Sequence, residues 1–150
     1  DLQALAQWVL FNLYVGNNDS HAKNLSIYHR PGEGVRLTPF YDLMCTRIYP
    51  GLSKEFAFNV GGEVLPGQMG QAHLQGMAQQ LSMKPRYLQA IAAEVAIKVP
   101  AATDQAVHEI SPLLTHSSQA FAEQLTHEVK SITKKAATRL ASTPSVQALK

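Results

Sequence analysis

The chain contains 150 residues, of which 45% are hydrophobic and 16% are charged, and its formal net charge is +2. This size and apolar content are typical of one folded domain and exclude an intrinsically disordered chain. The charge is too small to indicate a nucleic-acid surface, and the longest apolar runs, such as Trp8 to Phe11, are far shorter than the roughly 20 residues of a transmembrane helix, so we predict no membrane partner.

The first predicted element is an amphipathic helix over residues 2 to about 15, where apolar residues recur at spacings of three and four. Gly16 is expected to end this helix, and the polar run Asn17 to Ser20 is typical of a tight loop. Two apolar runs, Leu25 to His29 and Val35 to Thr38, flank a Pro-Gly-Glu-Gly turn and predict a β-hairpin.

The remainder of the chain is predicted to be a loop followed by helices. Six Gly and Pro residues from Pro50 to Gly67 indicate loop structure up to about residue 70, with a short strand expected at Glu55 to Val60. Helical spacing of apolar residues then marks residues 74–81, residues 85–95, a pattern from Ala106 that Ser111-Pro112 interrupts, and a long helix from Phe121 to about Leu140. We therefore predict a mostly α fold with a small β-hairpin, a helical bundle around the polar loop.

Cysteine usage and the amino terminus suggest the setting of this domain. The single cysteine, Cys45, cannot form an intrachain disulfide or a cysteine-based zinc site, so we predict a packed thiol in a protein of the reducing cytoplasm. The chain starts with Asp1 inside a helical pattern rather than with methionine, so we expect one domain over residues 1–150 that is a fragment of a longer protein. Residues 143–150 are expected to form a frayed tail.

Three polar residues around the predicted hairpin carry the chemical signal. Asp19 and Asn24 have the separation of the catalytic aspartate and the metal-binding asparagine in the protein-kinase loop H-R-D-x-x-x-x-N. Asp42 follows the hairpin, where kinases carry the aspartate that binds the magnesium bridging the nucleotide phosphates. The order of the residues and of the elements between them agrees with phosphoryl transfer.

The types of these residues suit that chemistry. Magnesium prefers hard oxygen ligands, so we assign the amide of Asn24 and the carboxylate of Asp42 to the metal. Asp19 is left to accept a hydrogen bond from the attacking hydroxyl. Lys23 is placed near the transferred phosphate, and we expect His21 to brace Asp19 rather than to bind metal.

The chain resembles the HipA-type serine/threonine protein kinases, the toxins of bacterial toxin-antitoxin pairs. The resemblance rests on Asn18 to Asn24 (N-D-S-H-A-K-N), on Leu37 to Thr46 (L-T-P-F-Y-D-L-M-C-T) and more loosely on Phe56 to Gly62 (F-A-F-N-V-G-G), and it extends over residues 1 to about 110. It implies a helical carboxy-terminal kinase lobe, ATP with Mg²⁺ as cofactors and a protein serine or threonine as acceptor. It also implies a small DNA-binding antitoxin as partner, through which DNA is met only indirectly.

One departure from the family pattern concerns the nucleotide loop. In that family an amino-terminal lobe supplies the loop that covers the phosphates and the lysine that contacts ATP. The glycine pair of this chain, Gly61-Gly62, comes after Asp19 and Asp42, which is the wrong order for such a loop. We therefore expect this chain to hold only half of a nucleotide site and to be inactive alone.

Two other functions remain open from the sequence. Asn18, Asp19 and His21 are ligand types found in two-metal phosphoesterases, although the further His and Asp clusters of such enzymes are missing. Alternatively, the chain is a non-catalytic module that holds an antitoxin or another partner. A cluster of basic residues on the last helix, Lys130, Lys134, Lys135 and Arg139, is interpreted as a solvated face.

Overall fold

A bundle of four α-helices with one β-hairpin makes up the part of the chain that the structure, a computed structural model, describes: residues 1–32 and 34–142. The helices are α1 (Leu2–Val15), α2 (Gln71–Gln80), α3 (Pro85–Ile110) and α4 (His116–Ala141), and the strands are β1 (Ile27–Arg30) and β2 (Gly34–Leu37). Short 3-10 turns occupy Ala22–Asn24, Thr46–Ile48 and Ser111–Leu113. The predicted fold class is confirmed.

Helix α1 packs against both long helices, α3 and α4, and forms the centre of the core. The Tyr14 hydroxyl donates a hydrogen bond to the Ala92 carbonyl of α3 at 3.0 Å, and the Thr133 hydroxyl of α4 donates to the Tyr14 carbonyl at 3.1 Å. Burial raises the pKa of Tyr14 to about 12, so its phenol remains a neutral donor. Both long helices therefore fix the end of α1 at which the polar loop begins.

Gly16 ends α1 as predicted, and the structure shows why glycine is required. Its backbone is left-handed, with φ 75°, and its N–H donates to the carbonyl of Asn12. A Cβ at this position would lie 2.6 Å from Cδ1 of Ile132 on α4. The left-handed turn and the close approach of α4 both favour a residue without a side chain.

The predicted hairpin forms with an antiparallel register that pairs Ile27 with Leu37 and Arg30 with Gly34. A further backbone hydrogen bond joins the Thr38 N–H to the Ser26 carbonyl at 2.9 Å and extends the pairing toward the bundle. The two ends of the hairpin therefore lie close together, and the segment after β2 lies beside the loop before β1.

The strand expected at Glu55 to Val60 is absent from the described residues, and that prediction was wrong. The chain there makes only a bridge between Val60 and Glu63 and a backbone hydrogen bond from Phe56 to Val64 at 2.8 Å. Its alternating aromatic residues pack inward instead: Phe56 stacks on Phe58, and Phe58 stacks on Trp8 of α1, each with ring centroids 5.7 Å apart. Side-chain packing against α1, not strand pairing, explains the alternation. The expected loop character of positions 50–70 is confirmed.

Helix α3 is longer than expected, and the separate helical pattern predicted from Ala106 is wrong because one helix continues through Pro100 to Ile110. Proline inside a helix removes one hydrogen bond, here to the carbonyl of Ala96. The apolar spacing nevertheless continues through the buried Val95 and Val99 to Ala106 and Ile110. The interruption at Ser111-Pro112 is correctly predicted as the end of this helix.

Helix α4 begins at His116, five residues before the predicted start, because Thr115 caps it by accepting the Ser118 N–H at 3.3 Å. It ends at Ala141, close to the predicted end. The tail expected over residues 143–150 lies outside the described residues. Within residues 1–32 and 34–142, each helix lacks the combination of length and apolar character needed to cross a membrane.

Candidate functional site

The polar loop after α1 is tied to the segment after the hairpin through Thr46. The Thr46 hydroxyl donates to the Gly16 carbonyl at 3.1 Å and accepts the Asn18 N–H at 2.8 Å. The Arg47 N–H donates to the same Gly16 carbonyl at 3.2 Å. The loop after α1 and the segment around Thr46, nearly 30 residues apart in the sequence, are thus held side by side. A site formed by Asp19, Asn24 and Asp42 needs these segments to be close together.

Asn24 and Asp42 are brought into direct contact. The Asn24 Nδ2 group donates to Oδ2 of Asp42 at 3.0 Å and lies 3.4 Å from the Asp19 carbonyl oxygen. Asn24 is 4% exposed, whereas Asp42 is exposed. The pair thus joins an amide and a carboxylate, two side chains whose oxygen atoms are ligand types that a hard cation prefers.

Asp19 faces a different environment. Its side chain is exposed and lines a cavity of about 230 Å³ that does not include Asn24 or Asp42. The cavity is lined by Asn18, Asp19, Met44, Thr46, Tyr49, Leu52 and Ser53. Three of these residues are large hydrophobics that remain about half exposed: Met44 (48%), Tyr49 (51%) and Leu52 (53%). A carboxylate therefore lies at the edge of an apolar hollow.

Tyr41 fastens the segment that carries Asp42 to the polar loop. Its hydroxyl donates to the Lys23 carbonyl at 2.8 Å and lies 2.9 Å from the hydroxyl of Ser26. The contact involves the backbone of Lys23, whose residue is exposed. Tyr41 thereby holds the chain immediately before Asp42 against the chain immediately before Asn24.

Asn17 and Asn12 form a buried support beneath Asp42 that sequence reasoning missed. Asn17 Nδ2 donates to the Asp42 carbonyl at 3.0 Å and to Oδ1 of Asn12 at 2.9 Å. Asn12 and Asn17 are 0% and 1% exposed. Asn17 was interpreted only as a loop residue. A signal was nevertheless present, because Asn12 is a polar residue within the apolar run of α1.

His21 does not brace Asp19 by a hydrogen bond, contrary to expectation. Its Nδ1 atom is buried and without a hydrogen-bond partner in the described residues. The backbone of His21 instead begins the 3-10 turn Ala22–Asn24, its carbonyl accepting the Asn24 N–H at 2.9 Å.

The described residues offer few side chains that could together bind a metal ion. Among residues 1–32 and 34–142, no group of three or more His, Cys, Asp or Glu side chains could hold a metal ion. A two-metal hydrolase needs such groups. A magnesium ion that keeps several waters and binds substrate phosphates needs only one or two protein ligands, and the Asn24–Asp42 pair fits that requirement.

Gly61, the first residue of the glycine pair, lies where its loop closely approaches helix α2. Its φ is 60°, and a Cβ there would lie 1.8 Å from the carbonyl oxygen of His73 on α2. Gly61 thus allows the loop to lie against the backbone of α2.

The remaining candidates are structural. Cys45 is buried, and burial raises the pKa of its thiol, in agreement with the predicted packed cysteine. The basic residues of α4 do not form one patch: Lys130 pairs with Asp104 at 2.6 Å, and Arg139 donates to the carbonyls of Met69 and Pro66 at 3.2 and 3.0 Å.

Comparison with known proteins identifies the family of the chain. The model of the HipA-like C-terminal domain family matches residues 1–103. The chain is 30% identical over 111 residues to the serine/threonine-protein kinase toxin HipA of Shewanella oneidensis, covering 74% of this chain and 25% of that protein. It also matches the structure of Shewanella oneidensis HipA in complex with HipB and operator DNA, with a TM-score of 0.76, 25% identity and coverage of 89% of this chain and 31% of that one. The chain thus spans about a quarter to a third of the length of these relatives.

Proposed function

The chain belongs to the family of HipA-like C-terminal domains, and on this basis we propose that it forms the carboxy-terminal lobe of a protein kinase that transfers the γ-phosphoryl group of ATP to a protein serine or threonine. The resemblance drawn from the sequence is thereby confirmed at the level of the family. Because the chain corresponds to about a quarter of the Shewanella toxin, the proposed activity is that of the full-length protein.

The observation that carries this proposal is the contact between Asn24 and Asp42. They are 18 positions apart in the sequence, and the 3.0 Å hydrogen bond from Nδ2 of Asn24 to Oδ2 of Asp42 brings the two side chains together. The pair combines one charged and one neutral oxygen ligand, as Mg²⁺ bound to nucleotide phosphates requires. Bound there, Mg-ATP would supply the phosphoryl group and neutralise the charge that develops on it.

Asp19 has the role of the acceptor-side carboxylate in this proposal. Its backbone carbonyl contacts Asn24, but its side chain lines the neighbouring cavity. The carboxylate would accept a hydrogen bond from the substrate hydroxyl and hold its proton while the hydroxyl oxygen bonds to the γ-phosphorus and ADP leaves. The exposed Lys23 follows along the same loop, where its ammonium group would meet the transferred phosphate.

The cavity beside Asp19 suggests how the acceptor is held. A serine or threonine hydroxyl at Asp19 would bring a neighbouring residue of the substrate protein to the half-exposed Met44, Tyr49 and Leu52. Burial of an apolar side chain in this hollow would favour binding by the hydrophobic effect. We therefore include an apolar residue next to the phosphorylated hydroxyl in the proposed substrate.

The proposed partner is a small DNA-binding antitoxin. The Shewanella complex contains HipA, HipB and operator DNA, and a HipB-like protein would bring the full-length form of this protein to DNA. The net charge of +2 and the divided basic residues of α4 favour this indirect association. A chain that only bound an antitoxin would use the same fold without needing the Asn24–Asp42 contact.

Transfer from ATP tests the proposal directly. Full-length protein is incubated with Mg-ATP and a bacterial protein extract, and phosphorylated serine and threonine residues are identified by mass spectrometry, with Asp42→Asn as the matched control. We expect phosphorylated serine or threonine residues that appear with the wild type and not with the variant. Antitoxin binding without any Asp42-dependent phosphorylation would favour the binding module, and release of phosphate from a generic ester would favour the hydrolase.

A further inference from the structure

A chain of hydrogen bonds connects the core of α1 to the backbone of Asp42. Asn12 Nδ2 donates to the Trp8 carbonyl at 2.9 Å, and Asn12 Oδ1 accepts from Asn17 Nδ2 at 2.9 Å. The same Asn17 amide donates its other hydrogen to the Asp42 carbonyl at 3.0 Å. We call Asn12 and Asn17 the asparagine relay. It begins in the helix interior and ends at the residue assigned to the metal.

The orientation of the Asn17 amide is set by its neighbours. Asp42 offers a carbonyl oxygen, so only the NH₂ side of the Asn17 amide can face it. That choice leaves Oδ1 of Asn17 buried and without a hydrogen-bond partner in the described residues. An unpaired buried acceptor lowers the free energy of unfolding. The Asn17 amide therefore costs the core some stability, while its NH₂ group donates to both Asn12 and Asp42.

The backbone held by the relay is an uncommon one. Asp42 has φ 56°, the left-handed region that few residues other than glycine, asparagine and aspartate adopt. The Asp42 side chain is exposed, and Asn24 is its only hydrogen-bond partner within the described residues. The direction of its carboxylate therefore depends on the backbone, which Tyr41 anchors before it and Asn17 anchors at its own carbonyl.

We propose that Asn17 and Asn12 are positioning residues that hold the left-handed backbone of Asp42, so that its carboxylate meets Mg²⁺ together with Asn24. This inference rests on the proposed function. Neither relay residue has a route to the metal or to the acceptor, because both are enclosed by the core. The relay acts only through Asp42, and its removal changes the magnesium requirement rather than the handling of the acceptor.

Leucine substitutions separate positioning from stability. Leucine has the branched shape of asparagine and the same number of side-chain heavy atoms, and Asn12→Leu with Asn17→Leu replaces the buried amides, including the unpaired oxygen, by apolar groups. The variant is expected to fold with a somewhat lower Tm, because the Asn12–Asn17 pair is exchanged for apolar groups with little loss while the carbonyls of Trp8 and Asp42 lose a donor. The Asp42 carbonyl then loses its anchor.

The experiment uses full-length protein with two readouts at several metal concentrations: single-turnover phosphoryl transfer with Mg²⁺, and binding of Mn²⁺ in the presence of ATP measured by electron paramagnetic resonance. We expect the double variant to require roughly 10- to 100-fold more metal in both, the range found when residues that orient metal ligands are removed. Asn12→Leu alone keeps the Asn17–Asp42 bond and should shift the requirement less, which provides a second variant if the double one is unstable.

Thr133→Val is the matched control, because Thr133 is equally buried and hydrogen-bonded to α1 but has no contact with Asp42. It should lower Tm and leave the metal requirement unchanged. A double variant with unaltered Mn²⁺ binding and an unaltered Mg²⁺ requirement would overturn the positioning role. Absence of transfer by the wild type would instead refute the proposed function, while the Mn²⁺ measurement would still test the relay.

Discussion

The two sides of the candidate site are built differently. On the metal side, Asn24 is buried and bonded to Asp42, whose backbone is held by the buried Asn17 and by Tyr41 through the neighbouring residue. On the acceptor side, Asp19 is exposed and lines a hollow whose apolar walls are half exposed. The side proposed to bind the metal is thus held by contacts within this chain, whereas the side proposed to receive the acceptor is open.

This difference fits the separate demands of the proposed reaction. Metal ligands must be held within narrow geometric limits, and buried hydrogen bonds provide that order before the nucleotide binds. An acceptor protein brings its own surface and can cover the apolar hollow when it binds. Variants on the two sides should therefore differ in which step they affect.

The largest expected effect is that of Asp19→Asn on the acceptor side. Asparagine can still accept a hydrogen bond but carries no charge to draw the proton from the hydroxyl. Transfer should fall by roughly 10² to 10⁴, the range for a positioned acid or base, while the affinity for Mg-ATP stays almost unchanged. Single-turnover transfer and calorimetry on the full-length variant measure the two quantities. Normal transfer would leave the binding module as the better interpretation.

On the metal side, Asn24→Ala should raise the metal requirement by roughly 10- to 100-fold, because the variant loses the amide oxygen and the contact that orients Asp42. Titration of transfer with Mg²⁺ in the full-length protein checks this expectation. Asn59→Ala is a suitable control, since Asn59 is exposed and, among residues 1–32 and 34–142, its side chain bonds only to the Gly62 N–H of its own loop. An Asn24→Ala protein with the wild-type requirement would remove this residue from the metal site.

A third prediction concerns the 150-residue chain alone, which should bind Mg-ATP more weakly than micromolar. The metal pair makes few contacts with a nucleotide, and in kinases other segments cover the base and the phosphates. Calorimetry with ATP and Mg²⁺ tests this expectation. Micromolar affinity would mean that the described residues already hold a complete nucleotide site.

The smallest effect is expected from Leu52→Ala in the apolar hollow. Loss of part of a buried leucine contact, about 1 kcal/mol, should raise KM for the protein acceptor by roughly 3- to 10-fold and leave kcat and the metal requirement unchanged. Leu113→Ala is the control, because Leu113 is 84% exposed and does not line the hollow. An equal KM for both variants would show that the hollow does not contact the acceptor.

The features that depend on local sequence patterns were predicted well. Apolar spacing located α1, and the spacing of Asp19, Asn24 and Asp42 anticipated that segments distant in sequence meet. In contrast, the strand expected near Phe56 and Phe58 was wrong because packing of these rings on Trp8 produces the same alternation. A period-2 pattern cannot distinguish these two causes.

The residues that hold the candidate site in place, Asn17 and Thr46, could not be identified from the sequence for a similar reason. Asn17 looks like any loop asparagine until the hairpin returns the Asp42 carbonyl to it, and Thr46 gains its role only when it meets Gly16. Such contacts depend on tertiary structure rather than on local spacing. His21 is the opposite case: its position in the motif suggested a bond to Asp19, but its buried Nδ1 atom has no hydrogen-bond partner within the described residues.

The most direct test of this division compares Asp42→Asn with Asp19→Asn in single-turnover transfer over a series of Mg²⁺ concentrations, using the full-length protein. Asp42→Asn keeps the size of the side chain but removes the charge that faces the metal, so both metal binding and transfer should fall. We expect a higher Mg²⁺ requirement for Asp42→Asn and a slow rate with the wild-type requirement for Asp19→Asn. Equal shifts in the Mg²⁺ requirement for the two variants would contradict this division.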